Sequence, residues 1–420
     1  MERNSLAQQD AQPVSEETLL SRRNVSLLAT LAAGHSVVHW FTMAFPVLLA
    51  EVVTSLGLGP LAAGAIVSAR SMSGAASIIP LGMLADRYAS MRTLFMTTAL
   101  VWFGVGYFLV GISSTRGMLI ASAAVLGVGA GLWHPPAIGM LSTTFPQRRA
   151  SVMAIHGVGA SLGDIVGPLV VGVLLVYASW QGIFRFSLLP ALVLAVLFFV
   201  AMRGASAGVA RGNLSFKGYF SALRQAAQHR PLLISISAGA MRQSGQVLLL
   251  TFVPIYARDQ LELGPEFVGV FIALLMGLSL VSQPILAYIS DRTSRKAAIL
   301  PGAIILTVFT PMLAFATSEL AVFALVTVIG LFLFSTSILL GAYGLDIAPP
   351  ELHSSTTAAQ FMVGMLLGSI APLTAGVLAT LFGIESVFFL AAGFFAVTLG
   401  LVLLLPSTKS SGHTPRFAAG

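Results

Sequence analysis

Long apolar runs, broken by short clusters of Gly, Pro or charge, dominate this chain. They fall at about 25–53, 60–84, 92–112, 117–145, 151–178 and 183–202, and after a polar stretch at about 231–257, 266–289, 297–316, 318–347, 355–380 and 384–405. Most reach the ~20 residues that a helix needs to cross a hydrocarbon core ~30 Å thick. They lack the two-residue alternation of a membrane β-barrel strand, and a helix satisfies its own backbone in lipid. The pattern predicts an all-α membrane protein with twelve transmembrane helices.

Short strings recur at about half the chain length. LGLGPLAAG around Gly59 matches LELGPEFVG around Gly264, Asp86-Arg87 matches Asp291-Arg292, and Gly167-Pro168-Leu169 matches Ala371-Pro372-Leu373, at offsets of 205, 205 and 204 residues. Agreement in spacing argues for two six-helix bundles related by a pseudo-two-fold axis. The expected organisation is a cytoplasmic tail at 1–24, an N-terminal bundle at 25–202, a cytoplasmic linker at 203–230, a C-terminal bundle at 231–405 and a second tail at 406–420. The first tail is polar and lacks the apolar core and cleavage site of a signal peptide.

Composition agrees: 56% of residues are hydrophobic and 9% charged, against ~45–50% and ~25% in soluble domains. Zero cysteines exclude a disulfide framework, a thiolate metal site and a cysteine nucleophile. The net charge of +7 gains meaning from its placement. With the amino terminus inside, seventeen of the 22 Lys and Arg fall on the cytoplasmic side: Arg3, Arg22, Arg23, Arg87, Arg92, Arg148, Arg149, Arg203, Arg211, Lys217, Arg224, Arg230, Arg292, Arg295, Lys296, Lys409 and Arg416. Three, Arg116, Arg185 and Arg258, fall outside, and Arg70 and Arg242 lie within spans. This asymmetry predicts both termini in the cytoplasm of a protein of the plasma (inner) membrane. The basic balance therefore points to the lipid bilayer as partner and not to nucleic acid, which needs a soluble basic face. A monomer is expected.

Gly82-Met-Leu-Ala-Asp86-Arg87 followed by Arg92, echoed by Ser290-Asp291-Arg292 with Arg295 and Lys296, resembles the cytoplasmic loop signature of the major facilitator superfamily. The resemblance implies that fold, with an acid at a helix end pairing with arginine across the bundle interface. The first copy keeps only Arg92 of the basic cluster, and the second has Ala287 in place of the leading glycine. Span 5 carries Gly157, Gly159, Gly163, Gly167-Pro168 and Gly172, similar to a glycine-rich signature of superfamily exporters. Small residues four apart let helices approach closely, and a deep proline kinks the span. Gly34-His35, Trp133-His134-Pro135 and His156-Gly157-Val158-Gly159 resemble the fosmidomycin-resistance branch of drug exporters. That likeness implies proton-driven export of a small toxic compound.

Polar residues inside spans are the candidate chemistry. Arg70 and Arg242 lie ten and eleven residues past Pro60 and Pro231, ~15–17 Å into the core. A charge at that depth should face a wet cavity or a partner. Asp164 is the carboxylate at comparable depth, so Arg70 and Asp164 are expected to pair while Arg242 contacts an anionic substrate; structural salt bridges are the alternative. His35 and His39, four apart on one helical face, suit proton or substrate contact, or plain packing. A metal would want a third ligand, and the sequence shows none, so no metal is expected. His134 and His156 belong to a proton exit path or cap the bundle mouth. Gln243, Ser244 and Gln246 give span 7 a polar face, Trp40, Phe41 and Phe45 offer aromatic walls, and Glu51 at the outer end of span 1 is expected to face water. The helix-packing signature is Gly163, Gly167, Pro168 and Gly172.

The expected function is secondary active transport by alternating access of a small organic compound or drug, an anion fitting the deep arginines, by proton-coupled export. Proton-coupled uptake of an organic anion or nutrient is the alternative. The energy source is the proton gradient and no cofactor is expected, since no Gly-rich nucleotide loop with Lys exists to power a pump. A membrane-embedded enzyme would need a fuller set of acids and nucleophiles, and a non-transporting receptor a signalling tail.

Overall fold

The computed structural model describes residues 22–146, 148–203, 228–348 and 353–407, together with residue 224. The tails at 1–24 and 406–420 and the linker at 203–230 lie largely outside the described residues, and with them Arg3, Arg211, Lys217, Lys409 and Arg416. Among the described residues there are twelve long helices and no strand. They are α1 Arg22–Ser55, α2 Pro60–Arg87, α3 Ala89–Gly111, α4 Arg116–Thr144, α5 Arg149–Tyr177, α6 Trp180–Ala201, α7 Arg230–Asp259, α8 Pro265–Arg292, α9 Arg295–Phe315, α10 Glu319–Ile347, α11 His353–Phe382 and α12 Ser386–Leu404.

Eleven of these helices are long and apolar enough to cross a membrane. The twelfth, α7, has the length at 30 residues but not the hydropathy, because Arg242, Gln243, Ser244 and Gln246 crowd its middle. Val196 and Leu197 on α6, Leu320 on α10 and Phe382 on α11 are exposed. Apolar area on that scale is stable against hydrocarbon and not against water.

The repeat read from the sequence appears in the packing between halves. A Cβ added at Gly64 on α2 would collide with the carbonyl of Pro372 on α11, and one at Gly269 on α8 with the carbonyl of Pro168 on α5. A Cβ at Gly376 would lie 2.7 Å from the carbonyl of Pro60, and one at Gly172 would lie 2.8 Å from that of Pro265. Each pair is the other's copy, shifted by 204 or 205 positions. The helices α2 with α11 and α5 with α8 thus close the interface twice by one device, a glycine seated on the backbone beside a proline.

That closure is confined to one end. There Glu51 on α1 forms an ion pair with Arg258 on α7, and Thr54 donates to Asp259. Glu51 is therefore not left to water alone: a partner from the other half takes its charge while the side chain stays partly exposed. Toward the opposite end Ile155, Val158 and Leu162 on α5 and Val281, Ile285 and Tyr288 on α8 are exposed. The glycine contacts between α5 and α8 run from Gly172 and Gly269 down to Gly277, where an added Cβ would lie 2.7 Å from Ile165; on α8 the exposed side chains begin beyond that point, so we read this end as the parted one.

Candidate functional site

The stripe of small residues on α5 sets up the first half of the site. A Cβ at Gly159 or Gly163 would collide with the carbonyl of Ala32 or Ser36 on α1, and one at Gly167 would lie 2.9 Å from that of Trp40. Backbone therefore lies against backbone, as the spacing predicts. Asp164, next to Gly163, reaches α1 as a result. His39 donates from Nδ1 to its Oδ1 at 2.8 Å, with the two side chains 23% and 7% exposed.

The expected partnership of Arg70 with Asp164 is not made. Arg70 sits on α2, which packs along α4 and α11, whereas Asp164 looks toward α1. The Arg70 guanidinium instead lies 4.7 Å from the Phe45 ring centroid and 3.5 Å from the Thr42 carbonyl oxygen. Phe45 thus meets a cation. Phe41 is buried on Phe103 and Tyr107, while Trp40 remains half-buried.

Four histidines from three helices gather beside the His39–Asp164 pair. His35 donates from Nδ1 to the carbonyl of His156 at 2.9 Å, and their rings stack with centroids 3.9 Å apart. The ring of His134 on α4 lies 5.3 Å from that of His35 and 5.9 Å from that of His39. Glycines bring α4 in: Gly127 abuts Arg70 and Ser73, Gly131 abuts Ser77, and Gly34 admits the fully buried Trp133. His134 and His156 thus form one cluster with His35 and His39. Helical spacing gives the His35/His39 pair; the approach of α4 depends on packing that spacing does not encode.

In the second half Arg242 on α7 is buried at 1% exposure. Its guanidinium donates to Gln246 Oε1 at 2.7 Å, to the carbonyl of Leu333 at 2.8 Å and to Gln243 Oε1 at 2.7 Å. Among the described residues no carboxylate pairs with it. Those neutral acceptors orient the cation without cancelling its charge. Gln246 also donates to Met276 Sδ at 3.4 Å, while Ser244 turns to its own helix and bonds the carbonyl of Ala240.

The loop signatures close on themselves. Arg92 is buried, ties Asp86 at 3.0 Å and reaches Thr143 at 3.2 Å, with Gly82 pressed near Pro135. Arg295 holds Asp346 at 2.8 Å and Asp291 at 3.3 Å, all within the C-terminal half. Arg87 and Arg292 lie over Tyr88 and Tyr288. The expectation that Asp86 pairs across the bundle interface is corrected: at this parted end its arginine comes from its own half.

Two six-helix halves joined at one end, with a buried cation in one and a carboxylate–imidazole pair in the other, define the two-bundle secondary transporter fold. The family model of the Major Facilitator Superfamily matches residues 31–372. The chain belongs to that superfamily, which consists of transporters and not enzymes. An uncharacterized MFS-type transporter of Bacillus subtilis is 23% identical over 97% of this chain and 96% of its own length. A multidrug resistance protein B homolog of Mycobacterium tuberculosis is 35% identical over 32% of this chain, and an uncharacterized MFS-type transporter of the same organism is 31% identical over 40%. The matches span only about a quarter of these two relatives' lengths, 26% and 25%. Among solved structures, a bacterial homolog of the human lysosomal transporter Spinster, in an inward-facing and unoccupied conformation, superposes with a TM-score of 0.80 at 13% identity, covering 92% of this chain and 97% of that one.

Proposed function

We propose that the protein exports a small organic anion by alternating access, coupled to proton entry. Arg242 carries this reading: among the described residues its buried guanidinium is held only by neutral acceptors, and an uncompensated charge at that depth is costly enough to favour an anion as its partner. On the other half the His39–Asp164 pair supplies the candidate proton site, because a carboxylate bonded to an imidazole carries net −1 without the proton and becomes net neutral on taking one up. Relatives named for resistance to methylenomycin A and to methyl viologen, and as multidrug resistance proteins, support export of a toxic compound. The motifs around His35, His134 and His156 point within the superfamily to the fosmidomycin-resistance branch.

The orientation follows from the arginines. If the basic end is cytoplasmic, in a plasma (inner) membrane with both termini inside, the parted end faces the cytoplasm and the Glu51–Arg258 end faces out. The substrate then enters from the cytoplasm and meets Arg242, and closure of the parted end breaks the outer contacts. The partners are the bilayer and the substrate, the working unit is a monomer, and the proton gradient takes the place of a cofactor.

Proton flux in liposomes containing the purified protein, read with a pH-sensitive dye against a panel of small anionic and amphipathic compounds, tests the reading. Compound-dependent proton movement that is lost in Arg242→Ala and Asp164→Asn is the expected result. Labelled compound crossing without protons would remove the coupling. Compound moving together with protons would reverse the direction to uptake.

A further inference from the structure

We propose that His35, His39 and His134 form a binding site for a divalent transition-metal ion of the zinc class. One ring nitrogen from each of the three lies within 4.8 Å of the other two. Three imidazole nitrogens bound at ~2.0–2.1 Å to a tetrahedral ion are ~3.4 Å apart, so ring rotations of modest size close the set. No carboxylate enters the trio and the chain has no cysteine. An all-imidazole set suits zinc, nickel or copper, and not calcium or magnesium, which want oxygen.

Hydrogen bonds orient two of the three rings as metal-binding histidines are oriented. His35 gives its Nδ1–H to the carbonyl of His156, and His39 gives its own to Asp164. These are the two partners, a backbone carbonyl and a carboxylate, that hold the rings of metal ligands in place and raise their basicity. In both rings the lone pair is thereby left on Nε2. In His35 that Nε2 is buried and has no hydrogen-bond partner. A packing histidine gains nothing from an orphaned buried nitrogen, whereas a ligand needs one. Three protein ligands would leave a fourth position for water or another small donor.

The inference concerns binding alone and does not depend on the transport reading. Its test uses tag-free full-length protein in detergent, titrated with Zn²⁺ against a chromophoric chelator and separately with Co²⁺. One saturable Zn²⁺ per chain is expected, with affinity falling at least tenfold in His134→Gln and His39→Gln. Loss of the supporting carboxylate in Asp164→Asn should weaken it by roughly 10–100-fold, and the exposed His229→Gln should leave it unchanged. Co²⁺ should give the intense visible bands of a tetrahedral nitrogen site, a readout that needs no variant to fold. Absence of saturable Zn²⁺ binding, a weak octahedral Co²⁺ spectrum, or unchanged affinity in a folded His134→Gln protein would each overturn the proposal.

Discussion

The two halves share one scaffold and differ in what fills it. Gly64 against Pro372 and Gly269 against Pro168 are copies of one contact, and Thr54 meets Asp259 exactly one repeat away. Inside the halves the likeness ends. On the N-terminal side Gly163 lets the α5 backbone lie on α1, and His39 meets Asp164; one repeat later Gly368 meets side chains alone, with an added Cβ 3.4 Å from Gln243 Cγ and 3.6 Å from Val247 Cγ2. One half is drawn together around titratable groups, and the other is held apart around a fixed cation. The closing device must work identically in both halves for the molecule to rock, whereas coupling and substrate recognition can each be kept in one.

The sharpest break in that comparison is steric. Gly163→Ala drives a methyl into the Ser36 carbonyl, a collision neither backbone can avoid, while Gly368→Ala makes ordinary contact with the Gln243 and Val247 side chains. The first should cost about 1–3 kcal/mol through overpacking and lower the melting temperature in detergent by several degrees, with loss of transport. The second should sit near wild type or slightly above it, since alanine outdoes glycine in a helix by ~1 kcal/mol. Equal melting temperatures for the two would mean that the halves are packed alike.

Chemistry gives the next two effects. Asp164→Asn should abolish compound-driven proton movement in liposomes while leaving exchange of labelled compound across the membrane measurable. Arg242→Gln should do the reverse, raising the half-saturating compound concentration by roughly ten- to a hundredfold, the loss of charged hydrogen bonds worth ~1.5–3 kcal/mol, while the proton-to-compound ratio in the flux that remains is unchanged. If both variants lost coupling and affinity together, the division of labour between halves would fall.

What the sequence made legible follows from what is local. The long apolar helices, eleven of them able to span, the repeat and the role of glycines four apart on α5 are properties of a run, a spacing or one helix face, and they stand in the structure. Twelve long helices stand among the described residues although α7 is too polar for a hydropathy test, and its flanks carry buried apolar residues at Leu232, Leu248 to Leu250 and Phe252. The pairings were not legible. Depth alone put Arg70 opposite Asp164, but depth does not say which helices are neighbours, and α5 lies on α1. His134 joins His35 and His39 only because Gly34 admits Trp133, a contact a hundred residues away in sequence. Glu51 found Arg258 for the same reason: the end of one half is satisfied by the other.

The smallest effect belongs to that last pair. Glu51 and Arg258 are 17% and 20% exposed, within reach of solvent, so water and salt screen their attraction and its worth is ~0.2–1 kcal/mol. Closing the other end requires this one to part, and Glu51→Gln should therefore shift the balance away from the conformation described here by roughly one and a half- to fivefold without altering the fold. The absence of cysteine makes the shift measurable, since spin labels at Val158→Cys and Val281→Cys would be the only two in the molecule. Their distance distribution by pulsed electron resonance should lose weight at long separations in Glu51→Gln and recover it when salt is lowered only in the parent, whose ion pair strengthens as screening falls. A distribution that ignores both changes would locate the hold on this conformation in the glycine–proline contacts, which the two halves share, and not in the charges that distinguish them.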